Sequence, residues 1–352
     1  LPLPLTLLFI MRKQPFTLIS GLFVAGFVNA VTVSTDPVGF ITLNLTPNAM
    51  TAVSVPMLSS ALHSGVIYEV EGAKITDNNA SWNTGDYTTA DANGNASHYI
   101  EITNHTDAGK VGAIYEITSS DGGNKTLTLG EDATGLNGGS YSVRKFQTLV
   151  DIFKDFDDSK LAKGASSDAD IVYKIGAAGW EVYYLQEAPF FAGGNGWRKL
   201  GDISTDMGNV AVFPDEGLIV KRRSDGEVKV TLTGSVKTSP AMTPIVKGFN
   251  LISMSFPVDT TLKDIGLYTE DEATGMKPGS TSEADRIYLL NSAGAFEIYY
   301  FQNAPFFAGG DGWRVLGDIS TDAEGTVINA GQSIVLKRNS DNEFVWNKAV
   351  PF

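Results

Sequence analysis

The chain reads as mainly β: tandem duplicated β-sandwich or barrel-like modules with one short helix each, and a small β unit inserted in the first. Three observations predict this. Apolar and polar residues alternate with the period of two that a half-buried strand needs. Clusters of Asp, Asn and Gly separate the apolar runs, as tight turns require. A long segment occurs twice within the 352 residues.

The duplicated segment is Glu181-Val-Tyr-Tyr-Leu-Gln-Glu-Ala-Pro-Phe-Phe-Ala-Gly-Gly-Asn-Gly-Trp-Arg198, which returns as Glu297-Ile-Tyr-Tyr-Phe-Gln-Asn-Ala-Pro-Phe-Phe-Ala-Gly-Gly-Asp-Gly-Trp-Arg314. The register continues through Asp202, Asp206, Lys221 and Arg222 to Asp318, Asp322, Lys337 and Arg338. Asn195-Gly196 and Asp311-Gly312 each suit a type I′ turn, where two successive residues need positive φ. Gly193-Gly194 and Gly309-Gly310 predict a bend just before it. Leu218-Ile219-Val220 and Ile334-Val335-Leu336 are apolar without alternation, which predicts burial on both faces.

Upstream, Thr148-Leu149-x-Asp151-Ile152 matches Thr261-Leu262-x-Asp264-Ile265. A hydroxyl three residues before a carboxylate caps a short helix, and Leu149, Ile152, Phe153 and Phe156 then face a core. The strand before Thr261, Ile252-Ser-Met-Ser-Phe-Pro-Val258, has its counterpart far earlier, at Val53-Ser-Val-Pro-Met57. The first module is therefore expected over 31–57 plus 148–240, with 58–147 inserted and the second module over 241–352; three consecutive domains are the alternative. Within the insert, 98–103, 113–118 and 126–129 read as strands, with a hairpin turn at 120–124.

The front of the chain predicts export. Residues 1–10 precede Met11 and read as an over-extended frame. Residues 11–30 read as a signal peptide: Arg12 and Lys13 open it, 16–28 are mostly apolar, and Val28-Asn29-Ala30 suits cleavage. The apolar run is short of the ~20 residues a spanning helix needs, so no membrane insertion is expected after cleavage. The formal net charge is −14, and it becomes more negative once Arg12 and Lys13 leave. That argues against nucleic acid and anionic membranes as partners. Cysteine is absent, so stability in an oxidising compartment rests on burial.

No catalytic constellation is present. The three histidines, His63, His98 and His105, form no zinc pattern, and neither a nucleophile elbow nor a phosphate loop occurs. Glu181, Arg198, Asp202 and Asp206 recur as Glu297, Arg314, Asp318 and Asp322; two equal copies point to ion pairs pinning a turn rather than to an acid/base site. Asp91, Asn93 and Asn95 offer oxygens at alternate positions, so calcium is a candidate ligand there, as it is at Asp155, Asp157 and Asp158. The aromatics Phe190, Phe191, Trp197, Phe306, Phe307 and Trp313 are candidates for stacking on sugars.

These pieces resemble an uncharacterised family of secreted bacterial proteins typical of Verrucomicrobia. The likeness is carried by Thr35-Asp-Pro-Val-Gly-Phe40, Tyr99-Ile-Glu-Ile-Thr103, Gly196-Trp-Arg198 and Leu218-Ile-Val-Lys-Arg222. It implies export and a β-rich fold, and it supplies no catalytic residue. The expected function is a secreted, non-enzymatic structural protein at the cell surface or outside the cell, self-assembling into a fibre or layer through strand edges. Val31, Val33, Val38, Phe40 and Leu43 would form the assembly strand. The alternative is a bivalent glycan- or surface-binding protein.

Overall fold

Alternation along the repeat builds one five-stranded antiparallel sheet twice. The computed structural model describes residues 36–176, 179–187, 193–303 and 309–352. In the first module the strand order is Met50–Val53, Leu218–Lys221, Ile171–Gly176, Gly179–Gln186, Gly196–Lys199. In the second it is Gly248–Ile252, Ile334–Arg338, Arg286–Leu290, Phe296–Gln302, Gly312–Val315, the same order with equivalent residues. Smaller pairings repeat too. Val38–Leu45 (β1) lies on Val228–Val236 as Ala241–Ile245 lies on Phe344–Lys348.

The apolar triplets explain how the modules meet. Leu218 and Val220 enter the first core with Val53, Val172 and Trp197. Ile219, pointing the other way, joins Ala52, Leu251, Leu290 and Val335 in a cluster drawn from both modules. Ile334 and Leu336 do for the second core what Leu218 and Val220 do for the first. The two sheets thus share their outer faces, and each Leu or Ile so buried contributes roughly 1.5–3 kcal/mol.

The first core takes Leu43 and Val53 from one side of segment 58–147, and Leu149, Val172 and Val230 from the other. Between them, seven strands pair in the order His63–Val66, Ser140–Lys145, His98–Asn104, Ile114–Asp121, Thr126–Leu129, Lys74–Thr76, Glu69–Glu71. They enclose a separate core around Ile75, Ile100, Ile117 and Leu127. The Asp121 carboxylate accepts from the N–H groups of Gly123 and Asn124, which closes the expected hairpin turn.

Two local expectations are corrected. The capping box at Thr148 and Asp151 starts a helix, α1, Leu149–Phe153. Thr261 and Asp264 make the same side-chain bonds, yet only a single turn follows. Gly266, at φ 73°, stands where the first copy has Phe153; its left-handed backbone stops the helix. One short helix per module therefore overstates the second. In the hairpins, the successive positive φ values fall on Gly193-Gly194 (81° and 66°) and Gly309-Gly310 (85° and 65°). The two successive left-handed residues are therefore the glycine pairs and not Asn195-Gly196 or Asp311-Gly312, and the strands rejoin only at Gly196 and Gly312. Glycine carries no Cβ penalty in that region, so the glycine pair takes it first.

Candidate functional site

The repeated hairpin is held from within. Arg198, buried, donates through Nη1 to the Trp197 carbonyl at 2.6 Å and through Nη2 to those of Gly194 and Asn195 at 3.2 and 3.3 Å. Arg314 does likewise with Trp313 at 2.8 Å and Gly310 at 3.1 Å. Gln186 and Gln302 add a second donor to the Gly194 and Gly310 carbonyls. Asp206 and Asp322 lie 3.9 and 3.7 Å from the same guanidinium groups. Asp202 and Asp318 each accept from two backbone N–H groups of the following turn. The recurring charges therefore organise turns in both copies.

The predicted sugar-stacking set is corrected for its tryptophans. Trp197 and Trp313 are buried in the two module cores. Trp197 donates its indole N–H to the Lys154 carbonyl at 3.0 Å. Neither ring presents a face to a ligand, because both point to the inner side of their sheets. Phe190, Phe191, Phe306 and Phe307 lie outside the described residues.

At the loop expected to offer calcium its ligands, the Asp91 carboxylate meets protein donors. Asp91 Oδ1 accepts from the N–H groups of Asn93 and Asn95, both at 2.8 Å. Its Oδ2 accepts from the Ala211 N–H at 2.9 Å and the Asn95 side chain at 3.2 Å. Four protein donors occupy the carboxylate, so the loop is a turn that ties the insert to the first module. Asn93 adds a bond from its side chain to the Tyr183 hydroxyl at 2.8 Å. Asp155 takes the N–H of Asp158 in a turn of its own. Among the described residues no group of three or more His, Asp or Glu side chains is placed to hold a metal. The histidines bond locally: His63 to Asp77, His98 to Ser97, His105 to the Asp107 N–H.

The assembly strand presents a clearer surface. β1 pairs only with Val228–Val236, at the end of its sheet, and its other edge takes no strand among the described residues. Val38 and Phe40 are 78% and 72% exposed on its outer face. Leu43 points inward and is buried in the first core, so it acts in the fold and not at the surface. Val31 and Val33 lie outside the described residues.

A cleft that the sequence reading did not single out lies where the insert and both modules meet. Lys174, Glu181, Lys199, Asp215 and Glu216 line it. Its sequence signal is a difference between the copies: Lys199 and Glu216 stand where the repeat has Val315 and Gln332.

No family model, curated protein or solved structure matches the chain. The resemblance to secreted Verrucomicrobial proteins therefore rests on the quoted motifs alone. No helix among the described residues is long and apolar enough to cross a membrane.

Proposed function

We propose that the chain is an exported, non-catalytic structural protein whose copies associate along β1 into a fibre or layer. One observation carries the reading. β1 is an eight-residue edge strand, Val-Gly-Phe-Ile-Thr-Leu-Asn-Leu, with no charged residue and two exposed apolar side chains. Natural edge strands are usually blunted by lysine, proline, bulges or a covering element, because a bare edge offers unpaired N–H and C=O groups to another chain. The occupant is β1 of a second copy. The strongly acidic surface keeps copies apart in general, so association needs such a directional contact.

Light scattering and electron microscopy of the purified mature protein over a concentration series test this. The wild type should associate, and the double variant Val38→Lys, Phe40→Lys should remain monomeric with an unchanged melting temperature. Monomeric wild type at every concentration, pH and calcium level tested would overturn the reading.

A further inference from the structure

The duplicated modules supply an internal comparison. Their reciprocal packing creates two related clefts, of about 580 Å³ at Lys174 and Glu216 and about 430 Å³ at Gly331 and Gln332 of the other copy, the second not lined by Leu289, Glu297 or Val315. Register fixes the matches. Lys174 lies opposite Glu181 as Leu289 lies opposite Glu297, and Lys199 lies opposite Tyr183 as Val315 lies opposite Tyr299. Asp215 and Glu216 correspond to Gly331 and Gln332. The smaller cleft carries no charged side chain among its described lining residues. The larger one carries five.

The fold does not need those charges. Glu216 accepts from the Phe213 N–H at 3.3 Å, and neutral Gln332 accepts from the equivalent Asn329 N–H at 3.2 Å. Capping the turn is thus done as well without a carboxylate. Leu289 fills the place of Lys174, next to the tyrosine that both strands share, Tyr173 and Tyr288. Lys174 and Glu216 instead form a 2.6 Å ion pair with side chains only 5% and 12% exposed. Taking such a pair out of water costs several kcal/mol per ion before attraction returns part of it. A costly arrangement whose neutral equivalent stands in the same molecule points to use rather than to architecture.

The chemistry of the cleft narrows the ligand. Donors and acceptors alternate along and behind its wall, through the buried Tyr183. Asn93 donates to the Tyr183 hydroxyl, Tyr183 to Glu181 at 2.7 Å, and Lys199 to Glu181 at 2.6 Å. Both lysines already have carboxylate partners, so the site does not call for a lone anion or cation. It fits groups that donate and accept at once, which vicinal hydroxyls do. Phe249, 49% exposed, supplies an apolar face at the rim. Burial pushes Glu216 up to about 7 against the pull of Lys174. At Glu181 burial acts upward too, but the Lys199 and Tyr183 hydrogen bonds outweigh it and leave the carboxyl below its ordinary value.

We infer that the cleft between Lys174, Glu181, Lys199, Glu216 and Phe249 binds a neutral saccharide, its hydroxyls on the charged wall and its C–H face on Phe249. The equivalent cleft of the second module does not, so binding is monovalent despite the duplication.

Titration by NMR with cellobiose, maltose and N,N′-diacetylchitobiose, each to ~10 mM, tests this, with glucuronate and spermidine as charged controls. At least one neutral sugar should bind and shift the amides of Lys174, Glu216 and Phe249. The variant Lys174→Leu, Lys199→Val, Glu216→Gln places the second module's residues at these three positions. It should fold and bind about tenfold more weakly or worse, as loss of one or two hydrogen bonds to charged groups implies. Phe249→Ala, at a half-exposed position, should keep the fold and also lose about tenfold in affinity, which decides the matter if the triple variant does not fold. No binding of any neutral sugar by the wild type, binding of a charged control alone, or unchanged affinity in the variants would each overturn the inference.

Discussion

Ser54 and Ser253 hold each other's strands. The Ser54 hydroxyl accepts from the Met254 N–H at 2.7 Å, and the Ser253 hydroxyl accepts from the Val55 N–H at 3.2 Å. They are the same residue of the repeat, since Val53 pairs with Leu218 as Ile252 pairs with Ile334. Both are fully buried. Around them the Ser54 N–H reaches the Gly331 carbonyl at 2.7 Å, and the Ser253 N–H that of Asp215 at 2.9 Å. The duplicated modules therefore pack as a two-fold pair within one chain.

Removing either hydroxyl strands a buried backbone donor. Ser54→Ala and Ser253→Ala should each cost about 1–3 kcal/mol. Urea denaturation measures it. A double variant whose cost departs from the sum by ~0.5 kcal/mol or more would show the two bonds acting as one interface.

Each module also contains a buried ion pair that the sequence reading passed over. Arg222 meets Asp170 at 2.6 Å and Arg338 meets Asp285 at 2.5 Å, all four side chains almost fully enclosed. The aspartates also accept from the Arg223 and Asn339 N–H groups. Asp170→Asn or Asp285→Asn should destabilise by about 3–5 kcal/mol, since each leaves a guanidinium buried without its counter-charge. A loss under ~1 kcal/mol in both variants would show that the pairs are screened.

Lys348 sets a pH dependence. Its ammonium is buried beside Phe256 and Trp346 with no hydrogen-bond partner among the described residues. Burial lowers its pKa from an ordinary 10.5 to about 8. A depressed folded-state value means the neutral form is favoured on folding. Stability should therefore fall as pH drops from about 10.5 to about 8, and stay level below that. Lys348→Met should raise stability at pH 7 by roughly 1–3 kcal/mol and flatten that slope. Thermal melts at pH 7, 8, 9 and 10 decide it; equal slopes in both proteins would refute the assignment.

Asp91 joins the insert to the first module. Asp91→Ala should cost about 1–3 kcal/mol by leaving the Ala211 N–H unpaired. Amide exchange should rise first in residues 90–96 and 211–212. Chelating divalent ions should leave the wild-type melting temperature unchanged; a fall on chelation would restore calcium to the loop.

What the amino-acid order determined by itself is local or repeated: strand positions from alternation, the capping box at Thr148, the duplication, and the two-sided burial of Leu218-Ile219-Val220. Each is set by neighbours a few residues away, or by a second copy that can be laid beside the first. Tertiary structure decided the rest. Alternation says which residues share a face and not which face is wet, so Trp197 could be read as a binder although it lies in the core. A row of oxygens at Asp91 does not by itself reveal the four N–H donors, one of them from Ala211, that the carboxylate accepts from. The charged cleft needs Asn93 from the insert, Lys174 from a strand, Glu216 from the turn before another, and Phe249 from the other module. No spacing along the chain encodes that meeting, because it arises only when two sheets stack and a third unit closes over their edge.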